Sequence, residues 1–161
     1  DAVEFARARG VNCIQGVVSD DLLQQRGPFD VAVMLDVIEH LANPAEVLST
    51  LHAHMHAGGH LVITTGDWDS WYSRFSRQQW RLMTPPHHLF FFTQASIRRL
   101  LAKTGFDVVR LSKPSKFVPL SLILYQAGRL TGTRQLQVPS LSRFGILVNL
   151  FDAMQIIARR I

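Results

Sequence analysis

Cysteine is almost absent from this chain. Cys13 stands alone inside an apolar run, so there is no disulfide framework and no clustered-thiol metal site. A reducing, cytosolic compartment is the expected setting. No long hydrophobic run is present either. The longest, residues 117–125, is broken by Pro119 and falls short of the ~20 residues that span a membrane. There is no initiator Met and no signal-peptide pattern at the start, where the chain opens in mid-pattern at Asp1. No internal repeat occurs. Acidic residues are scarce in one half only: residues 1–60 carry three Arg against eight Asp or Glu, and residues 61–161 carry 14 Lys or Arg against four Asp. The halves net −5 and +10, which sum to the overall +5. A basic second half suits an acidic substrate, a phosphate-bearing partner or an anionic membrane surface, and also an ordinary solvated face. At 161 residues with 47% hydrophobic side chains, one domain with a full core is expected.

What is there centres on FDVAVMLDVIEHLANP, residues 29–44. Asp30 leads into the strand-forming run VAVML, apolar at consecutive rather than alternate positions. That pattern predicts a parallel strand covered on both faces. Asp36, Glu39 and His40 follow directly after its carboxyl end, the edge at which open α/β sheets bind ligands.

Around this strand the chain reads as alternating helices and strands. Residues 2–9 form a helix closed by Gly10, residues 11–15 a short strand, and residues 20–26 a helical turn. Asn43 and Pro44 are the N-cap and first residue of a helix that carries Val47, Leu48, Leu51 and Met55 on its apolar side and stops at Gly58-Gly59. HLVITT (residues 60–65) is a second buried strand. Thr93 caps a helix containing Ile97, Leu100 and Leu101, and strands follow at residues 106–111 and 153–161. The order predicts βαβ units in an α/β sheet. Residues 113–149, with Pro, Gly and Ser between apolar patches, read as an insertion holding one or two short helices.

Asp36, Glu39 and His40 fall at i, i+3 and i+4, on one face of a helical turn. His52, His54 and His56 resemble a metal tract, but on a helix only His52 and His56 share a face and no carboxylate joins them. A solvated helix surface is expected. Trp68, Trp71 and Phe75, at helical spacing, are expected to form a partly buried stripe. Arg74, Arg77 and Arg81 lie on another stripe, to grip a phosphate or to face water.

These residues carry a family likeness. FDVAVMLDVIEHLANP, the helix ending in GGHLVITT, the pattern of Pro86, His88, Phe92 and Thr93, and RRLLAKTGFDVV (residues 98–109) together resemble the later part of a class I S-adenosylmethionine-dependent methyltransferase. The likeness runs from Ala2 to about Leu111 and more faintly over the last ten residues. It implies a Rossmann-like sheet whose last strand is antiparallel, in one domain spanning residues 1–161 with an insertion or cap at 113–149. It also implies a first strand, a GxGxG cofactor loop and a ribose-binding carboxylate. No GxG occurs in this sequence. The chain is therefore expected to be a C-terminal portion lacking the first two strands, and inactive by itself.

The same resemblance implies roles for particular residues. Val17 and Val18 would flank the adenine, and Leu35 and Asp36 would face the methyl-bearing sulfonium. His88 would reach the edge that carries Asp36 and His40, making these three the expected catalytic residues. Asp36, Glu39, His40 and His88 are also similar to the Glu-x-x-Glu-His site of metal-dependent O-methyltransferases, with Asp in place of the first Glu. Carboxylates with imidazoles suit Mg, Mn or a softer divalent ion. The alternatives are that Glu39 and His40 only orient the loop, or that His40 or His88 acts as a general base. The implied activity is methyl transfer to an oxygen of a small molecule, sugar or lipid precursor. The alternatives are a nucleic-acid (RNA 2′-O) methyltransferase and a non-catalytic binding module. Residues 117–150 are expected to make a peripheral membrane contact or to cap the acceptor, placing the protein in the cytoplasm or against the inner membrane face.

Overall fold

The computed structural model describes residues 2–121, 124 and 143–161 of the chain. Four strands form a mixed sheet: β1 (Phe29–Leu35), β2 (Met55–Gly66), β3 (Phe106–Ser112) and β6 (Ala153–Arg160), in the order β1-β2-β6-β3. β1 and β2 run parallel, with Ala32 beside Leu61 and Met34 beside Ile63. β6 lies antiparallel between β2 and β3, with Ile63 beside Ile156. The α/β, Rossmann-like expectation holds, including the antiparallel last strand. β4 (Lys116–Pro119) and β5 (Gly145–Val148) pair with each other in a separate ribbon.

Register places one set of side chains on a single sheet face: Met34, Leu61, Ile63, Met154, Ile156 and Ala158, all buried. Two helices cover it. In α3 (Pro44–Ala53) the Asn43 side chain accepts from the Glu46 amide, Pro44 occupies the first turn, and Leu48 and Leu51, three residues apart on one helix face, are buried in the core. In α5 (Gln94–Lys103) Thr93 and Ser96 form a reciprocal capping box, and Ile97 and Leu101 are fully buried. Burying side chains of this size contributes about 1.5–3 kcal/mol each, so this layer is the main source of stability.

The other face is different. Val31, Val33 and Leu35 are each more than half exposed, so β1 is covered on one face and not on both. The short helix α1 (Ala2–Ala8) buries none of its residues. Residues 11–15 are not a strand as expected but irregular, with Val11 and Ile14 exposed. A strand needs a neighbour for its N–H and C=O groups. Among the described residues β1 has β2 on one side and no strand on the other.

Three further expectations change. Helix α3 stops at Ala53, because His54 turns back with its Nδ1–H donating to the Thr50 carbonyl at 2.9 Å. Met55 therefore belongs to β2, where it is buried. The expected helical stripe is only α4 (Trp71–Ser76) followed by a 3-10 turn; Trp71 and Phe75 are exposed, while Trp80, beyond the helix, is buried. The imidazoles of His52, His54 and His56 fall on a helix, its cap and a strand, so they do not form one surface. α2 (Asp20–Gln24), capped by Ser19, is the predicted turn. The helices expected within residues 113–149 fall mostly outside the described residues. Among the described residues no helix is long and apolar enough to cross a membrane.

Candidate active site

β1 ends at Leu35, and the backbone then turns sharply through Asp36, whose φ of 53° lies in the left-handed region. Asp tolerates that region better than most side chains but is still strained there, so something must hold it. β2 does. The Asp36 amide donates to the carbonyl and to the hydroxyl of Thr64 at 3.0 and 3.1 Å, and the Thr64 hydroxyl donates to Asp36 Oδ1 at 3.2 Å. The turn delivers the chain into a 3-10 helix, Ile38–His40, with Ile38 fully buried as its anchor.

Glu39 is buried, and its carbonyl accepts from the amides of Leu89 and Phe90 at 2.8 and 3.2 Å. That pins the loop of residues 87–92 against the β1 edge. His40 faces the same loop. Its Nδ1 lies 2.7 Å from the His87 carbonyl oxygen, which can only accept, so Nδ1 carries a proton and in the neutral imidazole Nε2 has the lone pair. The His88 ring meets the His40 ring edge-on with centroids 4.7 Å apart. One side-chain donor atom from each of Glu39, His40 and His88 lies within 4.8 Å of the others.

A small cavity lies between Glu39, Thr65, Trp80, His88 and Phe91, with room for about one water. Glu39 Oε2 is buried with no hydrogen-bond partner. An unpaired buried carboxylate oxygen costs more than 1 kcal/mol, so this atom is the position where a bound group is best accommodated.

The structure thus brings together three of the four expected polar residues. Asp36 is bonded to Thr64 on β2, and the group whose ligand atoms lie within 4.8 Å of one another is Glu39, His40 and His88. Val17, Val18 and Leu35 are all exposed, the first two in irregular chain between α1 and α2. No GxG turn exists in the sequence.

Behind the site lies a polar network that the sequence did not signal by motif. Asp67, fully buried, binds Lys113 Nζ, accepts from Gln94 Nε2 at 3.1 Å and receives the Asp69 amide at 3.1 Å. Asp152, also buried, accepts from Trp80 Nε1 at 2.9 Å and takes both arms of the Arg81 guanidinium at 2.9 Å. The Asp67 amide donates to the Asp152 carbonyl at 2.9 Å and so joins the two halves. Only four acidic residues occur after residue 60, and two of them are these. That scarcity was the available signal. Arg81 is accounted for by Asp152 and Arg74 by Asp69, whose hydrogen bond, and then its charge, holds the exposed guanidinium above its ordinary range.

This sheet and the turn at the end of β1 lie largely within a stretch that matches a known family. The family model described as "Methyltransferase domain" matches residues 4–111. The chain belongs to the methyltransferase-domain family. Solved structures agree on the fold. A SAM-dependent methyltransferase from Archaeoglobus fulgidus superposes with a TM-score of 0.62 at 17% identity, covering 98% of this chain and 71% of that one. One from Thermotoga maritima gives 0.59 at 20%, covering 99% and 69%. The [4+2]-cyclase SpnF gives 0.50 at 13%, covering 99% and 60%, so this methyltransferase-like fold also serves another chemistry. No curated protein sequence matches the chain.

Proposed function

We propose that this chain carries the acceptor side of an S-adenosylmethionine-dependent methyltransferase acting on an oxygen of a small molecule, sugar or lipid precursor. The observation that carries this is the tautomer of His40. With Nδ1–H committed to the His87 carbonyl, Nε2 offers a lone pair at the sheet edge beside His88. As the acceptor oxygen forms its new bond to carbon, its proton passes to His40 Nε2. Asp36, fixed by Thr64, and His88 orient the acceptor; such positioning is worth about 7–11 kcal/mol in a well-aligned transfer. When bound, the cofactor supplies a methyl group on a sulfonium that departs as a neutral thioether. Val17 and Val18 are assigned to its adenine and Leu35 and Asp36 to its sulfonium side. Residues 113–149 are assigned as an insertion that covers the acceptor; deleting them is expected to relax acceptor choice while cofactor binding persists.

A second reading is favoured by the orphaned Glu39 Oε2. Glu39, His40 Nε2 and His88 would hold a divalent ion that lowers the pKa of the acceptor hydroxyl. One carboxylate with two imidazoles suits a borderline ion better than Mg. Turnover of the chain joined to a segment that supplies a glycine-rich turn, measured before and after chelation, separates the two readings. Unchanged turnover in EDTA, with loss in His40→Ala, supports the base; loss in EDTA that added metal restores, mimicked by His88→Ala, supports the ion. Turnover that survives both chelation and His40→Ala sinks the assignment of this edge.

A further inference from the structure

Residues 108–151 contain six Lys or Arg and not one Asp or Glu. Both described ends of this stretch converge in the β4–β5 ribbon. Phe117 pairs directly with Leu147, so the two share a face, and Val118 pairs with Ile146 on the other. Phe117, Ile146 and Leu147 are 53%, 53% and 75% exposed, and Phe144 just before β5 is 64% exposed. The Phe117 ring lies across Gly145, where a Cβ would approach it to 2.6 Å, so the aromatic is held in place on the ribbon and does not hang free.

The ribbon is fastened at its root. Lys113 Nζ binds Asp67 and donates to the Phe151 carbonyl at 3.0 Å, while Asn149 Nδ2 donates to the Lys113 carbonyl at 3.0 Å. The Leu120 amide donates to the Phe144 carbonyl at 2.8 Å at the far end. A two-stranded ribbon is marginal in water by itself, and this one shows apolar side chains on both faces. Its Arg143 is exposed beside them. Trp71 and Phe75, exposed on the short helix that follows the Asp67 anchor, add aromatic surface to the same basic half of the chain.

We propose that this ribbon docks the protein on an anionic lipid surface. Exposed apolar and aromatic side chains in a stretch with six cations, of which Lys113 is paired with Asp67, and no acidic residue of its own match the boundary between headgroups and acyl chains. Each Lys or Arg drawn to such a surface raises partition by about fivefold. A second copy of the chain would bring cations against cations, which opposes self-pairing. The inference does not depend on which acceptor is methylated.

The test is sedimentation of the whole chain with vesicles of phosphatidylcholine alone and of phosphatidylcholine mixed with phosphatidylglycerol. Partition to the anionic vesicles is expected to exceed that to the neutral ones by at least about tenfold and to fall as salt is raised. Phe117→Ser with Leu147→Ser should reduce it by about tenfold or more. Arg143→Glu, a change at an exposed side chain outside the β4–β5 pairing, should reduce it similarly and keeps the test valid if the double variant misfolds. Equal retention on both vesicles, no retention, or variants that bind like the parent would overturn the proposal. So would a dimer in size-exclusion chromatography that the double variant dissolves, since that gives the surface to a second copy.

Discussion

His40 Nδ1 and the His87 carbonyl oxygen stand 2.7 Å apart, joining the turn after β1 to the loop before α5. The bond fixes the imidazole's tautomer with a main-chain group, so the side chain of His87 is irrelevant to it. His40→Ala should lower methyl-transfer turnover by about 10²–10⁴ and leave cofactor affinity nearly unchanged. His87→Ala keeps the carbonyl and should behave like the parent. The check is turnover at saturating cofactor beside calorimetric titration with S-adenosylhomocysteine, using the chain joined to a segment that supplies a glycine-rich turn. A His40→Ala protein that loses cofactor binding but turns over normally at saturation would place His40 on the cofactor.

Asp152 satisfies two partners from one buried carboxylate, Trp80 and Arg81. Asp152→Ala leaves the indole N–H and a guanidinium without it. Removing one partner of a buried pair costs about 3–5 kcal/mol, and Arg81 is partly exposed, so the lower end applies. For a chain of this size that is a fall in melting temperature of roughly 6–12 °C. A calorimetric melt within about two degrees of the parent would show the network to be dispensable.

Gly105, with φ of 84°, closes α5, and a Cβ there would come within 2.5 Å of the His52 ring. Gly105→Ala therefore faces both backbone strain of about 1–2 kcal/mol and displacement of that ring. Urea unfolding should show a loss larger than the strain alone. His52→Ala in the same chain should recover the steric part, giving a favourable coupling in a double-mutant cycle. Additive losses would mean that His52 moves aside at no cost.

Cofactor affinity of this 161-residue chain is expected to be poor. Val17, Val18 and Leu35 are 81%, 39% and 58% exposed, and no glycine turn is encoded. Hydrogen bonds to charged partners are worth about 1.5–3 kcal/mol each. Forgoing a few costs several factors of ten at ~1.4 kcal/mol per factor. Calorimetry at micromolar S-adenosylmethionine should register no binding, and joining a segment that supplies a glycine-rich turn should restore it. Micromolar affinity in the chain as it stands would show that these three residues are not the cofactor wall.

Much was legible in the sequence because it was local. The consecutive apolar run of β1, the Asn43-Pro44 start of α3, the Thr93 cap of α5 and the β-branched centre of β6 each state their element within a few residues. The position of Glu39 and His40 directly after β1 also signalled the edge at which they lie. What only the tertiary structure decided were relations between distant residues. His88 meets His40 because the Glu39 carbonyl holds the amides of residues 89 and 90, which no periodicity encodes. Asp36 bonds to Thr64, 28 positions away on β2, at a turn whose backbone is left-handed. The open face of β1 and the irregular path of residues 11–15 have the same cause. Strand propensity becomes a strand only where a neighbour satisfies its backbone, and a buried face only where something packs on it.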